Sequence, residues 1–280
     1  MKIQSAGRLG NILFIWAYAF NLSKISNNGR IEIFAEKYHS SIDESLLDTF
    51  LKLSSNEVRF VIDNKAGLVL KIIDRISTSM PIATKALRNK LKVQNEHQDC
   101  LSNNAWIQRG YFQDSVYFRE YKNDIQERLR KIISSLKQSS NFKNKFPYLA
   151  DEYQAIHVRL SDFIDSETGV ISLESQLSCL GKERKTVICT DGSRDEILSR
   201  TTRQDFEIIT PKESTAWETL AILSGAKLLI TSNSTLSWWS GFIAAGNGNM
   251  VCIPKIWNKT RSASMQLPFE NVSTYTPKFE

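Results

Sequence analysis

From Tyr153 onward the chain alternates short apolar runs with stretches of helical spacing, and no other feature limits the fold as much. Residues 155–158, 186–189, 206–209, 227–230 and 250–253 read as strands. Residues 173–180, 194–199, 215–224 and 236–245 carry apolar positions at helical spacing. Strands that are apolar on both faces, with helices between them, belong in a parallel sheet covered on both sides. This half is therefore expected to be α/β. Ligands of such sheets bind beyond the carboxyl ends of the strands. Polar clusters fall there, at residues 157–162, 190–192 and 232–235.

The first half reads similarly but less regularly. A glycine turn at residues 7–11 precedes a helix over 12–22. Strands are expected at 31–35 and 105–108, the second followed by Gly110-Tyr111-Phe112-Gln113. A long helical region covers 117–136. Residues 137–147 are polar and basic and include Pro147, which predicts a linker. The expected domains are 1–148 and 149–280.

With 280 residues, 41% of them hydrophobic, the chain can bury a core, and global disorder is excluded. Charge is uneven. Residues 1–150 hold 23 Lys and Arg against 14 Asp and Glu, and residues 151–280 hold 13 against 16. A basic first half suits an anionic partner. The four cysteines have no C-x-x-C spacing and read as reduced thiols, and the three histidines form no metal-ligand pair. The apolar run 12–20 is too short to span a bilayer and has the wrong flanks for a signal peptide. The chain is therefore read as intracellular.

Three segments carry chemistry. In Ile230-Thr231-Ser232-Asn233-Ser234-Thr235-Leu236, a strand runs through hydroxyl and amide residues straight into a helix. Free N–H groups at a helix start seat anions, and these side chains add donors. The same residues also suit an ordinary N-cap. In His157-Val158-Arg159-Leu160-Ser161-Asp162, an arginine at a strand end can neutralise a phosphate through several fixed donors. Asp162 reads either as a base or as the group that orients Arg159. In Gly7-Arg8-Leu9-Gly10-Asn11, two glycines let a ligand approach the backbone. No D-x-D triplet occurs, which favours charge neutralisation by arginine, hydroxyls and amides over a divalent ion. Residues 65–92 carry Lys65, Lys71, Arg75, Lys85, Arg88, Lys90 and Lys92 against Asp74, with apolar residues between. That stretch suits an anionic lipid surface or a lipid-diphosphate acceptor, and equally a solvated helix face.

Together these motifs resemble the α1,2-fucosyltransferase family of bacterial surface-polysaccharide synthesis and of animals. Gly7-Arg8-Leu9-Gly10-Asn11-Ile12-Leu13-Phe14 resembles its G-R-L-G-N-Q-L-F segment. Gly110 to Gln113 with Tyr117-Phe118 resembles G-Y-[FW]-Q…Y-F, and His157-Val158-Arg159 with Asp162 resembles H-V-R-R-G-D. Ser232 to Trp239 resembles A-N-S-[ST]-F-S-W-W. The departures are Ile12 for Gln, Leu160 for the second Arg, Ser161 for Gly, and Glu218-Thr219 for Glu-Asp.

The resemblance implies a GT-B-like fold, with two Rossmann-like domains facing a central cleft. The first domain would take the acceptor and the second would take GDP-fucose. Transfer would invert the anomeric carbon without metal or other cofactor. Arg159 would meet the diphosphate, and Asn233, Ser234 and Thr235 would cradle it. His157 and Asp191 would lie near the nucleotide, and Glu218 would stand where an acid reads the guanine. Arg8, Gly10 and Asn11 would face the cleft. The implied partners are GDP-fucose and an oligosaccharide acceptor carried on a lipid diphosphate, such as an O-antigen precursor. The implied place is the cytoplasm, at the inner face of the cytoplasmic membrane. A same-fold transferase using another nucleotide sugar is the nearest rival. A non-catalytic anion binder ranks lower, and nucleic acid is not expected, because the interleaved stacking aromatics of RNA modules are missing.

Overall fold

A computed structural model describes the chain except residues 26–29, 36–43, 78–80, 97–104, 165, 182–183 and 260–264. The side chains of residues 44–46, 62, 64, 77, 81–83, 85 and 162 are also outside the description. The chain forms two compact units, Met1–Ile125 and Gln126–Glu280.

The first unit runs β1 (Lys2–Gln4), α1 (Leu9–Ile25), β2 (Ile31–Ala35), α2 (Glu44–Leu53), β3 (Val58–Ile62), α3 (Asn64–Ser77), α4 (Pro81–Leu91), β4 (Val93–Asn95) and β5 (Ile107–Arg109). Its sheet has the order β3-β2-β1-β5-β4, and every pairing is parallel. Helix α1 is apolar almost all round. Residues from Leu9 to Phe20 are buried except Asn11, as a helix enclosed by protein requires. Trp16 Nε1 donates to the Leu53 carbonyl at 3.0 Å, which ties α1 to the end of α2. No helix among the described residues is long and apolar enough to cross a membrane.

Helix α5 (Lys122–Gln138) contains the boundary between the units. The second unit continues with α6 (Ser140–Lys145), β6 (Tyr153–Val158), α7 (Leu173–Leu177), β7 (Lys185–Thr190), α8 (Arg194–Leu198), β8 (Phe206–Ile209), α9 (Ala216–Gly225), β9 (Leu228–Ile230), α10 (Thr235–Gly246), β10 (Met250–Pro254) and β11 (Val272–Tyr275). Its sheet has the order β11-β10-β9-β6-β7-β8, all parallel. The core between sheet and helices includes Ile156, Val158, Leu160, Ile188, Ile197 and Ile230. Crossovers between parallel strands are right-handed. Helices that follow a reversal of strand order therefore lie on the opposite face. α9 and α10, which come after the reversal, pack against each other.

The expected linker at 137–147 instead holds the end of α5 and the short helix α6. Ser139 caps α6 by accepting the Phe142 N–H at 3.2 Å, and Phe142 and Phe146 are buried, with their rings 5.0 Å apart. The units divide at Ile125/Gln126 and not at 148/149, because α5 from Gln126 onward docks on α10. Gln126 Nε2 donates to the Phe242 carbonyl at 3.2 Å, and Arg130 hydrogen-bonds the Gly246 carbonyl at the end of α10. A cation there suits the negative end of a helix. Cys189 and Cys252 are buried and free, and Cys179 is free and half-buried. Cys100 lies outside the described residues.

Candidate functional site

Strands β6 and β9 are neighbours, yet the chain leaves them in opposite directions. From β6 it proceeds to β7 and β8 on one side, and from β9 to β10 and β11 on the other. Such a reversal opens a crevice at the carboxyl ends of the two strands. The strongest sequence candidates sit at this point. His157 is near the end of β6, and Arg159 directly follows that strand. Asp191 follows β7, and Ser232 to Thr235 join β9 to α10.

Arg159 is held from two sides. Its Nη1 lies 2.5 Å from Asp191 Oδ2, and the guanidinium carbon sits 5.2 Å from the centre of the Phe163 ring. Asp191 is itself fixed: its Oδ1 accepts the Leu160 N–H at 2.7 Å, and its carbonyl accepts Ser161 Oγ at 3.0 Å. The two charged side chains are 12% and 15% exposed, so the pair is oriented and still reachable by solvent. Leu160, which replaces the second arginine of the resembled motif, is fully buried in the sheet core. A Cβ on Gly192 would meet its Cδ1 at 2.7 Å, so the glycine makes space for Leu160, which serves as a packing residue. The backbone of Asp162 lies in the single 3-10 turn Ser161–Phe163. Its side chain lies outside the described residues.

His157 is 2% exposed and joins a hydroxyl network. Its Nδ1 is 2.8 Å from Ser237 Oγ and 3.5 Å from Ser232 Oγ. Ser237 Oγ already accepts the Ser232 N–H at 2.9 Å. It also accepts from Ser232 Oγ at 3.3 Å, which occupies both its lone pairs and leaves its proton for His157, assigning Nδ1 as the acceptor and the ring proton to Nε2. Burial pushes the histidine down to about 4, the Arg159 charge pushes the same way, and Asp191 opposes. His157 is thus neutral near pH 7 and braces the segment between β9 and α10. Gln176, fully buried, donates to the carbonyls of His157 at 3.0 Å and Thr231 at 3.3 Å. It bridges the two strands where they part. Tyr275 Oη donates to the Thr231 carbonyl at 2.7 Å. Sequence reading missed these supports. Ser237 stands in the quoted motif and was the one available signal.

Asn233 is 2% exposed, and its amide nitrogen donates to the carbonyls of Gly169 at 3.0 Å and Thr168 at 3.3 Å. That fixes the loop beyond α7's N-terminal side against the turn. Ser234 is the N-cap of α10 in extended conformation, φ −113° and ψ 141°, and its side chain makes no capping bond. The two preceding helices differ. α8 and α9 begin with complete capping boxes, Ser193 with Glu196 and Thr215 with Glu218. The first turn of α10 also lacks an acidic residue. Its positive end is directed at the crevice with the Ser234 hydroxyl uncommitted to the helix.

Glu218 is placed differently. It stands in the first turn of α9, the helix after β8, the edge strand, two strands away from β6. Its Oε2 accepts the Thr215 N–H at 2.8 Å and pairs with Lys145 Nζ at 2.8 Å. These bonds hold its carboxyl below the usual range against the opposing effect of burial. In the first unit, Arg8 is exposed and precedes α1, and Gly10 is buried in the first turn of that helix. Asn11 Oδ1 accepts Gln113 Nε2 at 2.9 Å. Two quoted motifs of the first half therefore meet. Gly7, at φ +75°, leaves room for the Asn11 amide, which a Cβ would meet at 2.2 Å. In the basic stretch, Leu68 and Ile72 of α3 are 59% and 47% exposed beside exposed Lys65, Lys71 and Arg75.

No protein-family model matches this chain, and no curated protein matches it in sequence. Its fold is similar to that of the Escherichia coli ADP-heptose lipopolysaccharide heptosyltransferase II, with a TM-score of 0.50 and 11% identity over 98% of this chain and 89% of that one. A family 9 glycosyl transferase from Veillonella parvula gives 0.49 and 11%, covering 98% and 84%. The Bradyrhizobium fucosyltransferase NodZ gives 0.47 and 12%, covering 87% and 93%. The fold is thus GT-B-like, with two units that each carry a parallel sheet and flanking helices.

Proposed function

We propose that this protein is an inverting, metal-independent glycosyltransferase that moves fucose from GDP-fucose to a hydroxyl of a glycan, O2 of a galactose-type residue. The observation that carries the reading is the pairing of Arg159, locked by Asp191, with the uncapped start of α10 at one reversal point of the sheet. In the proposed reaction the bond from sugar C1 to the phosphate oxygen breaks, and its electron pair leaves with GDP. The acceptor oxygen bonds C1 from the opposite face and gives up its proton. Negative charge grows on the departing diphosphate. Arg159, Ser234, Thr235 and the first N–H groups of α10 stabilise it most when that charge is largest, which lowers the barrier. Asn233 and neutral His157 hold the turn in place. Asp162 is the proposed base.

Arg8, Gly10 and Asn11 are proposed as further donor-binding residues, and Glu218 is proposed to lie toward the base. The acceptor is proposed to be a lipid-diphosphate-linked oligosaccharide of O-antigen type. The exposed Leu68 and Ile72 among Lys65, Lys71 and Arg75 support a peripheral position on the inner face of the cytoplasmic membrane. The test is a turnover assay in EDTA with GDP-fucose, GDP-mannose, UDP-galactose and ADP-heptose. Release of GDP from GDP-fucose, far faster than from the others, is expected. Preferential turnover of a UDP- or ADP-sugar overturns the donor, and loss of all turnover in EDTA overturns metal independence.

A further inference from the structure

The first sheet has a reversal of its own. From β1 the chain builds outward to β2 and β3, then returns on the other side through β4 and β5. The crevice falls at the carboxyl ends of β1 and β5. A cavity of about 340 Å³ lies there, lined by Gln4, Asn95, Glu96, Arg109, Gly110 and Tyr111. Its size is within the range of small-molecule sites, ~300–1,000 Å³.

The cavity is built around a strained turn. Phe112 has φ +51°, which a bulky residue rarely adopts. It is fully buried and stacks on Tyr18 at 4.0 Å between ring centres. Glu96 Oε2 accepts the Phe112 N–H at 2.7 Å, and the Tyr117 hydroxyl also bonds Glu96. A Cβ on Gly110 would meet Glu96 Oε2 at 2.3 Å, so this glycine makes the space for the carboxylate. Burying Phe112 turns the adjacent Tyr111 outward, where it stays 44% exposed at the cavity wall. Strain of this kind collects where a side chain must be presented to a ligand.

The lining chemistry is mixed and close to neutral. Arg109 and Glu96 line the same cavity, and Arg109 Nη1 is paired with Asp74 at 2.6 Å. No single sign of charge dominates, so the wall does not select an anion. It offers a flat aromatic face, two amides, a carboxylate and a guanidinium. A pyranose ring has an apolar C–H face that lies on an aromatic ring and hydroxyls that both donate and accept.

We infer that this cavity is a saccharide-binding site for a neutral pyranoside, with Tyr111 as the stacking platform, Arg109, Asn95 and Gln4 bonding its hydroxyls, and Glu96 as the positioning residue for the turn. That this saccharide is the acceptor rests on the function proposed above. The binding itself does not.

The test is saturation-transfer NMR on the full chain with the methyl glycosides of galactose, glucose, N-acetylglucosamine and mannose, and with guanosine. At least one glycoside should receive saturation on its C–H face. Tyr111→Ala should weaken it about tenfold, Tyr111→Phe should restore it, and Ser234→Ala should leave it unchanged. The exposure of Tyr111 keeps the variant folded, which a melting curve checks. The inference is overturned if no glycoside shows Tyr111-dependent binding or if only guanosine does. GDP is titrated in parallel. Glycoside uptake without GDP uptake breaks the donor reading alone, and GDP uptake without glycoside uptake breaks this inference alone.

Discussion

At the reversal between β6 and β9 the second unit gathers Arg159, Asp191 and the uncapped start of α10. At the reversal between β1 and β5 the first unit gathers Tyr111, Glu96 and Arg109 around a strained turn. Both sheets are parallel and both open a crevice at their carboxyl edge. The wiring is therefore shared, and the side chains set the ligand. A guanidinium with a helix start selects developing negative charge. An aromatic face with opposed charges selects a neutral polyol. A fold supplies the place, and the residues at that place supply the chemistry.

The largest effects should separate the two crevices by reaction. Arg159→Ala is expected to lower kcat/KM for transfer by ~10²–10³, the usual cost of one lost oxyanion donor. Arg159→Lys should recover little, because an ammonium cannot keep the Asp191 pair and also fork onto a phosphate as a guanidinium can. Asp162→Asn should lower kcat by ~10²–10⁴ with GDP affinity kept, if it is the base. A fall in GDP affinity instead would mean that Asp162 helps orient Arg159.

The second effect is on stability and belongs to the second unit. Burial and Arg159 push His157 down to about 4, while an unfolded histidine titrates near 6.5. Between those values the unfolded chain holds the extra proton. Stability should therefore fall as pH drops from 6.5 to 4, by about 3 kcal/mol in all. Urea unfolding across this range checks it, and His157→Asn should flatten that part of the profile.

A smaller effect sharpens the contrast among helix starts. Thr215→Ala removes a capping box and should cost ~1–2 kcal/mol. Ser234→Ala removes no capping bond and should cost little stability while weakening GDP binding. Equal stability losses in the two variants would mean that Ser234 is an ordinary cap. The smallest effect concerns α3. Lys71→Gln should weaken partitioning onto vesicles rich in anionic lipid by ~1 kcal/mol, measured by sedimentation. Unchanged partitioning would make this a solvated face.

The sequence was most legible where strands are apolar on both faces. All five expected strands of the second half are present, with β6 and β7 two residues longer than read, β10 one longer and β9 one shorter. The short strands were not legible. In β1 only Ile3 is buried, and β4 is three residues long, too short to show a period. β11 has one buried residue, Tyr275. The segment 137–147 was misread because its polar composition hid Phe142 and Phe146, whose spacing of four marks a helix face. At the site, the residues after β6 and β9 were legible because each lies in one continuous motif. The partner that locks Arg159 was harder to read. Asp191 is 32 residues away in sequence and becomes a neighbour only through the pairing of β6 with β7.

The central claim is that the crevice between β6 and β9 seats a guanosine diphosphate through Arg159 and the start of α10. Calorimetric titration of GDP, GDP-fucose, UDP, ADP and CMP in EDTA, on the intact chain and on Arg159→Lys, tests it most directly. The account predicts saturable binding of GDP and GDP-fucose, weaker binding of the others, and a loss of at least tenfold in the lysine variant. Equal affinity of the intact and lysine forms for GDP, or no nucleotide binding without a divalent ion, would contradict it.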